Sequence, residues 1–289
     1  MKKKKLILIV SIVAAIILCI AGAIIYCYWF FPTKIELKNN AIDENHNHII
    51  LKNSKLCWDT GANISVLFED FNSKKICIGF AFVSDYNYKT KLTPLFLSKS
   101  ISKNSVLVRD LIYTDVDSNN IAKGLQCLNI SGILGMNIIG NYNWLLDFNT
   151  NTLYNILKIE DYNFKPQLSL TYSSKLYPYT FMNIGGLIFQ KILIDSGSNS
   201  DIQLQQSDIE RINKTIQPDT IMESSSSGLF SDSIPHREYV YTNIKINEVI
   251  LDTLSIIESH RRLIGTGFFR KFDRVFWDSK DREVKFYRD

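Results

Sequence analysis

One short pattern occurs twice in this chain of 289 residues, and it constrains the fold more than any other feature. Residues 55–67, KLCWDTGANISVL, run from an apolar strand into an Asp-Thr-Gly turn at 59–61. Residues 191–204, KILIDSGSNSDIQL, run in the same way into Asp-Ser-Gly at 195–197. A carboxylate at the end of a buried strand is costly unless another group satisfies it or the chemistry of the protein uses it. The repetition therefore predicts a specific role for both aspartates.

The spacing that follows each turn is also repeated. Gly135 closes the apolar triplet Ile-Leu-Gly 76 residues after Asp59 (135 − 59), and Gly265 closes Leu-Ile-Gly 70 residues after Asp195 (265 − 195). A hairpin pattern comes next in each half, WLLDFNTNTLYN in the first and VFWDSKDREVKFY in the second. An internal repeat of this length predicts two homologous β lobes in one chain.

The remaining patterns favour strands over helices. Residues 48–61, 76–97 and 179–197 each predict a hairpin, because alternating or apolar runs flank short polar turns. Residues 207–216 predict a short helix with Ser207 as its N-cap. We therefore expect an all-β fold with short helices.

The N-terminus carries a different signal. Four lysines at 2–5 precede residues 6–31, which contain no charge and end in an aromatic cluster. The run exceeds the roughly 20 residues that a helix needs to cross a bilayer, and lysines before such a span keep the N-terminus in the cytoplasm. We predict a cytoplasmic basic tail at 1–5 and a transmembrane signal anchor at 6–31. The chain from about Pro32 onward would then lie outside, in the periplasm or at the cell surface.

Charge and motif content exclude several classes of function. The four N-terminal lysines account for the net charge of +4, because the other 29 basic residues (33 − 4) balance 29 acidic ones. Nucleic-acid-binding proteins usually carry a strong basic surplus, so we expect no nucleic-acid partner. His46 and His48 lack a third ligand at a recognisable spacing, and we interpret them as part of a solvated loop. We expect neither a metal nor a cofactor.

Taken together, the motifs resemble those of the aspartic peptidases. The first half has D-T-G-A-x-x-S-V and I-L-G, and the second has D-S-G-S and L-I-G-T-G. The chain looks like a bacterial retropepsin-like protein with both lobes in one chain, as in pepsin, and the resemblance covers about residues 40–289. It implies a bilobal aspartic-protease fold of two pseudo-symmetric β-barrel lobes, at 32–160 and 161–289, preceded by the transmembrane helix.

The resemblance also implies roles for the two repeated turns. Asp59 and Asp195 would be the catalytic residues, facing each other and sharing one proton, because two adjacent carboxylates cannot both ionise cheaply. The ionised member would act as general base on a water, and the protonated member as general acid. The residues implied to support the two active-site loops are Thr60, Gly61, Ser196 and Gly197.

A covering flap is expected between each aspartate and its apolar-apolar-Gly segment. In the first half, Tyr86 or Tyr88 at the tip of the 76–97 hairpin is the candidate flap residue, with an ordinary surface-turn tyrosine as the alternative. In the second half, residues 222–233, MESSSSGLFSDS, are either a mobile covering loop or a linker.

The implied function is that of a membrane-anchored aspartic endopeptidase, a hydrolase that acts on peptide or protein substrates. It would be a monomer, because both lobes lie in one chain. The alternative is a non-catalytic module that binds peptides or partner proteins in the same cleft. A degenerate lobe would be expected to lose an aspartate or a glycine, and both turns are intact, which favours the enzyme.

Overall fold

The described part of the chain consists mainly of β-strands, with one long helix ahead of them and short helices among them. The structure is a computed structural model, and it describes residues 2–30, 34–37, 40–69, 74–85, 88–103, 106–117, 121–156, 165–231 and 233–289. The helices in these ranges are α1 (Lys2–Phe30), α2 (Lys123–Gln126), α3 (Met136–Ile139), α4 (Gln206–Asn213) and α5 (Thr266–Phe269).

The strands are numbered in chain order through both halves. Those of the first half are β1 (Lys34–Leu37), β2 (Ile50–Leu51), β3 (Leu56–Trp58), β4 (Ser65–Leu67), β5 (Lys75–Ser84), β6 (Thr90–Lys103), β7 (Val106–Asp115), β8 (Gly132–Leu134), β9 (Trp144–Asp147) and β10 (Thr152–Asn155). Those of the second half are β11 (Leu168–Thr171), β12 (Tyr179–Ile184), β13 (Leu187–Ile194), β14 (Ile202–Leu204), β15 (Thr220–Ser226), β16 (Ile234–Ile246), β17 (Val249–Glu258), β18 (Leu263–Ile264), β19 (Arg274–Asp278) and β20 (Glu283–Tyr287).

The two halves fold by the same strand order. The first lobe has the order β2-β3-β8-β4-β7-β6-β5, with β1 also paired to β7, and the second has β12-β13-β18-β14-β17-β16-β15. Strand directions match as well, since β3–β8 and β13–β18 are parallel while β4–β8 and β14–β18 are antiparallel. The predicted all-β fold of two lobes is confirmed, and the repeat in the sequence is a repeat in topology.

A third sheet, in the order β10-β9-β19-β20-β11, contains strands from both halves. Strand β9 pairs antiparallel with β19, which places Trp144 opposite Trp277. Trp58, the last residue of β3, packs edge-on against both indoles, with ring centroids 6.5 Å from Trp144 and 5.7 Å from Trp277. All three tryptophans are fully buried. The residue before the first repeated turn is therefore packed against strands of both halves.

The predicted helix at 207–216 is confirmed as α4, but the N-cap prediction was wrong. Ser207 lies inside the helix, and no side chain makes a capping hydrogen bond at its start. The helix instead buries one face, including Ile209 and Ile212, against the second lobe. Packing of that face, rather than a cap, determines where the helix begins.

A buried ion pair fastens the same helix to its lobe. Asp208 is 1% exposed, and its two carboxylate oxygens accept hydrogen bonds from Arg262 Nε (2.6 Å) and Nη2 (2.9 Å). Such a two-point contact satisfies a charge that burial would otherwise make costly.

Helix α1 contains the segment on which the sequence places the membrane anchor. Its side chains are described for residues 9–23, and all of these are exposed. Among residues described to this extent, no helix is long and apolar enough to cross a membrane. The transmembrane segment at 6–31 stays a prediction.

Replacing Arg262 by Ala should lower the free energy of unfolding by about 3 kcal/mol, because the buried Asp208 carboxylate loses its two-point partner. The matched control is Lys245→Ala, which breaks an exposed pair with Glu248 whose side chains are 56% and 90% exposed. That change should cost less than about 0.5 kcal/mol. Urea denaturation of the full chain followed by circular dichroism measures both, and equal losses would contradict a structural role for the buried pair.

Candidate active site

The structure brings Asp59 and Asp195 together where the two lobes meet. Each follows an equivalent strand, β3 or β13, and each backbone N–H donates to the apolar pair of its own lobe. Asp59 donates to the carbonyl of Leu134 (3.0 Å) and Asp195 to that of Ile264 (2.8 Å). The two side-chain carboxyls are hydrogen-bonded to each other. The repeated turns therefore form one site.

The glycine of each turn lies against the carboxyl of the opposite turn. A Cβ atom added to Gly61 would lie 2.3 Å from Cγ of Asp195, and one added to Gly197 would lie 2.4 Å from Cγ of Asp59. No side chain fits at these distances, so only glycine permits the two turns to approach this closely. This is the physical reason for the third residue of both motifs.

The middle residues of the two turns bind each other reciprocally. Thr60 Oγ1 accepts the N–H of Ser196 (2.9 Å) and donates to the carbonyl of Ile194 (2.8 Å). Ser196 Oγ accepts the N–H of Thr60 (2.9 Å) and donates to the carbonyl of Trp58 (2.9 Å). Both hydroxyl-bearing residues are fully buried. Each hydroxyl thus satisfies two backbone groups of the other lobe's turn region, which fixes the separation of the two carboxyls.

The two carboxyls do not have the same hydrogen-bond environment. Asp59 Oδ1 accepts the backbone N–H groups of Gly61 (2.8 Å) and Ala62 (3.2 Å). Asp195 Oδ1 accepts only the N–H of Gly197 (3.0 Å) from its own turn. The N–H of Ser198, which corresponds to that of Ala62, donates to the Asp195 backbone carbonyl instead (3.1 Å). Hydrogen bonds from N–H groups favour the ionised form of a carboxyl. Asp59 is therefore the more easily ionised member.

The pKa values of the pair follow from burial and from this difference. Burial raises the pKa of Asp59 above its ordinary value, and the hydrogen bonds from the backbone partly oppose that shift. Burial also raises the pKa of Asp195, and the charge and hydrogen bond of Asp59 raise it further, to well above its ordinary value. The shared proton consequently resides on Asp195 while Asp59 is ionised.

The predicted hairpin at 76–97 is confirmed as β5 and β6, and Tyr88 near its tip contacts the second lobe. Tyr88 is 63% exposed, with a positive φ of 59°. Its ring centroid lies 4.8 Å from that of His260, and the Arg261 guanidinium carbon lies 4.3 Å from the ring centroid. Tyr88 is thus a turn tyrosine that also contacts the opposite lobe, while Tyr86 lies outside the described residues. A role for either in covering substrate stays a prediction.

The linker interpretation of residues 222–233 was wrong. Residues 222–226 belong to strand β15, which pairs with β16, so 227–233 connect the two strands of a hairpin. This hairpin has the same place in the second lobe as the β5–β6 hairpin has in the first.

Two residues near the site were not predicted. Arg261 lies close enough to Asp195 to lower its pKa electrostatically, and its Nη2 donates to the backbone carbonyl of Asp85 (3.0 Å). Neither Asp85 nor Arg261 belongs to the repeated motif, so spacing gave no signal for them.

The histidine pair lies in a loop, as predicted, but neither histidine is fully exposed. His46 and His48 are only partly exposed, and burial lowers the pKa of His48 to about 4. The carbonyls of His46 and Asn47 accept hydrogen bonds from Arg270 of the second half. Within the described ranges, no group of three or more His, Cys, Asp or Glu side chains is placed to hold a metal ion.

Replacing Thr60 by Val should lower the free energy of unfolding by about 3 kcal/mol, because a buried N–H and a buried carbonyl lose their partner. Thr60→Ser is the matched control, since Ser196 makes the equivalent two bonds with the same hydroxyl. Thr60→Ser should lower the free energy of unfolding by only about 0.8 kcal/mol, because it removes one buried methyl group. Denaturant titration of the two variants tests this, and indistinguishable midpoints would show that the hydroxyl does not hold the turns.

The raised pKa of Asp195 predicts a pH-dependent stability. The folded chain holds a proton that the unfolded chain releases near the ordinary pKa of 3.8, so the free energy of unfolding should fall as pH rises above that value. Asp195→Asn removes this titration, and the variant should be more stable than the parent at neutral pH. Asp252→Asn on the exposed surface is the control. Thermal melts over a pH series measure the slopes, and an unchanged slope in Asp195→Asn would contradict the assignment.

Comparison with known proteins gives little beyond this geometry. No family model matches the chain, and no curated protein matches its sequence. A retropepsin-like aspartic protease from Rickettsia conorii is similar with a TM-score of 0.29 and 12% identity, over 44% of this chain and 96% of its own. Conglutin gamma, a basic 7S globulin from lupine seeds, is similar with a TM-score of 0.44 and 10% identity, over 81% and 87%. At this level neither likeness supports an inference about the chain.

Proposed function

We propose that the chain is an aspartic-type endopeptidase that hydrolyses peptide bonds with the Asp59/Asp195 pair. The observation that carries the proposal is the pair itself: two carboxyls hydrogen-bonded to each other, with unequal proton affinity, on equivalent turns of two lobes. Pairs of titratable groups whose surroundings separate their pKa values are characteristic of acid–base catalysis. Because the pair titrates as a unit, its apparent pKa values belong to both carboxyls.

In the first step, ionised Asp59 acts as general base. It takes a proton from a water molecule as the water oxygen attacks the carbonyl carbon of the scissile peptide bond. Protonated Asp195 donates its proton to the carbonyl oxygen, which produces a neutral tetrahedral diol. The asymmetry of the pair supplies the base and the acid together, and each position contributes roughly 10²–10⁴-fold to the rate of such a step.

In the second step, the diol collapses and the C–N bond breaks. The proton on Asp59 passes to the leaving nitrogen, and one hydroxyl proton of the diol returns to Asp195. The products are a carboxylic acid and an amine, one water is consumed, and the pair again holds a single proton. No metal or cofactor is required by this scheme.

The proposal includes anchoring at a membrane. Its support is the uncharged run at 6–31 behind four lysines, together with the exposure of every described side chain at 9–23. In this arrangement the chain is a single-pass membrane protein with a cytoplasmic N-terminus. Both lobes then lie outside, in the periplasm or at the cell surface, and act as a monomer on peptide or protein substrates without a nucleic-acid partner.

Asp59→Asn and Asp195→Asn should each lower peptide cleavage by at least roughly 10²–10⁴-fold while leaving the fold intact. An amide has nearly the size of a carboxyl, but it neither accepts a proton as a base nor shares one with its neighbour. The double variant should be little worse than either single one, because the two residues act as a unit. The measurement is cleavage of a diverse peptide library by the full chain in detergent, between acid and neutral pH.

Asp252→Asn, which changes an exposed carboxyl of the second lobe, is the control and should keep full activity. Near-normal cleavage by either active-site variant would show that this aspartate is not catalytic. If the parent chain cleaved no peptide but bound some of them, the non-catalytic binding module would replace the enzyme.

A further inference from the structure

The first-lobe side of the cleft contains an apolar cluster apart from the main core. Cys57 of β3, Val66 of β4 and Ile133 of β8 belong to it, and Val83 joins it from the β5–β6 hairpin. Ala62, whose N–H donates to the Asp59 carboxylate, packs against the same cluster. The cluster therefore begins at the catalytic turn and continues beneath the hairpin, where a substrate chain would have to lie.

The second lobe fills this cluster with its own side chains. Phe230, from the 227–233 connection, is 8% exposed and belongs to the cluster, and Leu229 packs against it. Lys91 Nζ lies 4.7 Å from the centroid of the Phe230 ring. The Leu229 carbonyl accepts the N–H of Ala122 from the first half (2.8 Å). The connection thus crosses from one lobe to the other, where it buries Phe230 and partly buries Leu229.

A buried carboxylate at the end of β5 holds the crossing in place. Asp85 is 3% exposed, and its Oδ2 accepts the N–H of Phe230 (3.1 Å) and the hydroxyl of Ser231. A Cβ atom added to Gly228 would come within 2.7 Å of the same oxygen, so the backbone of the connection lies directly against it. The Asp85 backbone carbonyl accepts a hydrogen bond from Arg261 Nη2. We call this set of contacts the latch.

A cleft of about 350 Å³ opens beside the end of β17 in the second lobe. Phe68 and Val116, which follow β4 and β7, contribute to the filled cluster of the first lobe. Ser259, which follows β17 as Val116 follows β7, lines the open cleft of the second. The position after this strand is therefore covered in the first lobe and accessible in the second. Phe230 of the latch belongs to the cluster that covers it in the first lobe.

We infer that this structure is a self-occluded state, in which residues 228–231 occupy the first-lobe half of the substrate site and the latch must open before a peptide binds. The inference rests on the proposed function, because it concerns access to the same two carboxyls. A ligand that binds only the open state has its apparent affinity reduced by the fraction of open molecules. The latch should therefore raise KM and leave kcat unchanged, because substrate binds the same open state whether or not the latch is intact.

Phe230→Ala and Ser231→Ala test the latch in the full chain in detergent. The first removes the side chain that fills the cluster, and the second removes the hydroxyl that binds Asp85. Each should lower KM for a fluorogenic peptide by at least about tenfold with kcat unchanged. The matched controls are Phe181→Ala, whose side chain is 58% exposed on β12, and Ser233→Ala, which is exposed on the same connection as Phe230. Both controls should leave KM as it is.

Hydrogen exchange gives a second measurement that needs no turnover. The amides of Phe230 and Ala122 donate to Asp85 and Leu229 across the lobes, so both should exchange slowly in the parent chain. In Ser231→Ala and in Asp85→Ala they should exchange at least about tenfold faster. Amides of the shared β9–β19 pair should not change, which distinguishes local opening from loss of the fold.

Each remaining outcome decides between the proposals. An unchanged or raised KM in Phe230→Ala, with a folded protein, overturns the inference, because Phe230 would then be a wall of the substrate site. If the parent and every variant cleave nothing, the proposed function fails. Hydrogen exchange then tests the latch independently of catalysis. Faster exchange of the Phe230 and Ala122 amides in the variants supports the latch, and unchanged exchange overturns it.

Discussion

The hydroxyls of two buried residues join the two repeated turns, and the geometry of the active site depends on this contact. Thr60 and Ser196 each accept an N–H and donate to a carbonyl across the lobe boundary. Four backbone groups at the ends of two buried strands have no access to water, so moving the turns apart would leave them unsatisfied at about 1–3 kcal/mol each. The separation of the two carboxyls is therefore determined by the cost of breaking four hydrogen bonds. Burial raises the pKa of both carboxyls, and the further rise that Asp59 causes in the pKa of Asp195 follows from that separation.

A repeated fold does not require a symmetric site. Both lobes present an aspartate on the same turn, yet one additional N–H points to the carboxylate of Asp59, while its counterpart at Ser198 points to a backbone carbonyl. This difference, together with a hydrogen bond from the Gly197 N–H to Asp59, favours charge on Asp59 and the proton on Asp195. Catalysis by two carboxyls needs such an inequality, because a base and an acid are required in the same step. Here it arises from how one turn closes, and no additional charged residue is needed to create it.

The sequence predicts the parts of this structure that local pattern determines. Strand periodicity, the glycine turns and the repeated spacing predicted the two lobes and the hairpins, and the resemblance to aspartic peptidases implied that the two aspartates face each other. It failed where packing or distant partners decide. Ser207 does not cap its helix because a buried face fixes the start of α4, and the loop that contains His46 is bound by Arg270, which follows much later in the chain. Asp85 finds Ser231 across 146 residues, a separation at which no local pattern carries information.

The latch is weak enough for a substrate to open. Its hydrogen bonds are exchanged for bonds to water on opening, so each contributes about 1 kcal/mol net. Exposing Phe230 costs roughly 1.5–3 kcal/mol, and freeing a connection rich in serine and glycine returns conformational entropy. The closed state is then favoured by a few kcal/mol, which keeps the open form a minor population. An extended peptide that places an apolar side chain in the same cluster recovers the burial that Phe230 gives up. The connection and a substrate peptide thus compete to fill the same apolar cluster beside Asp59.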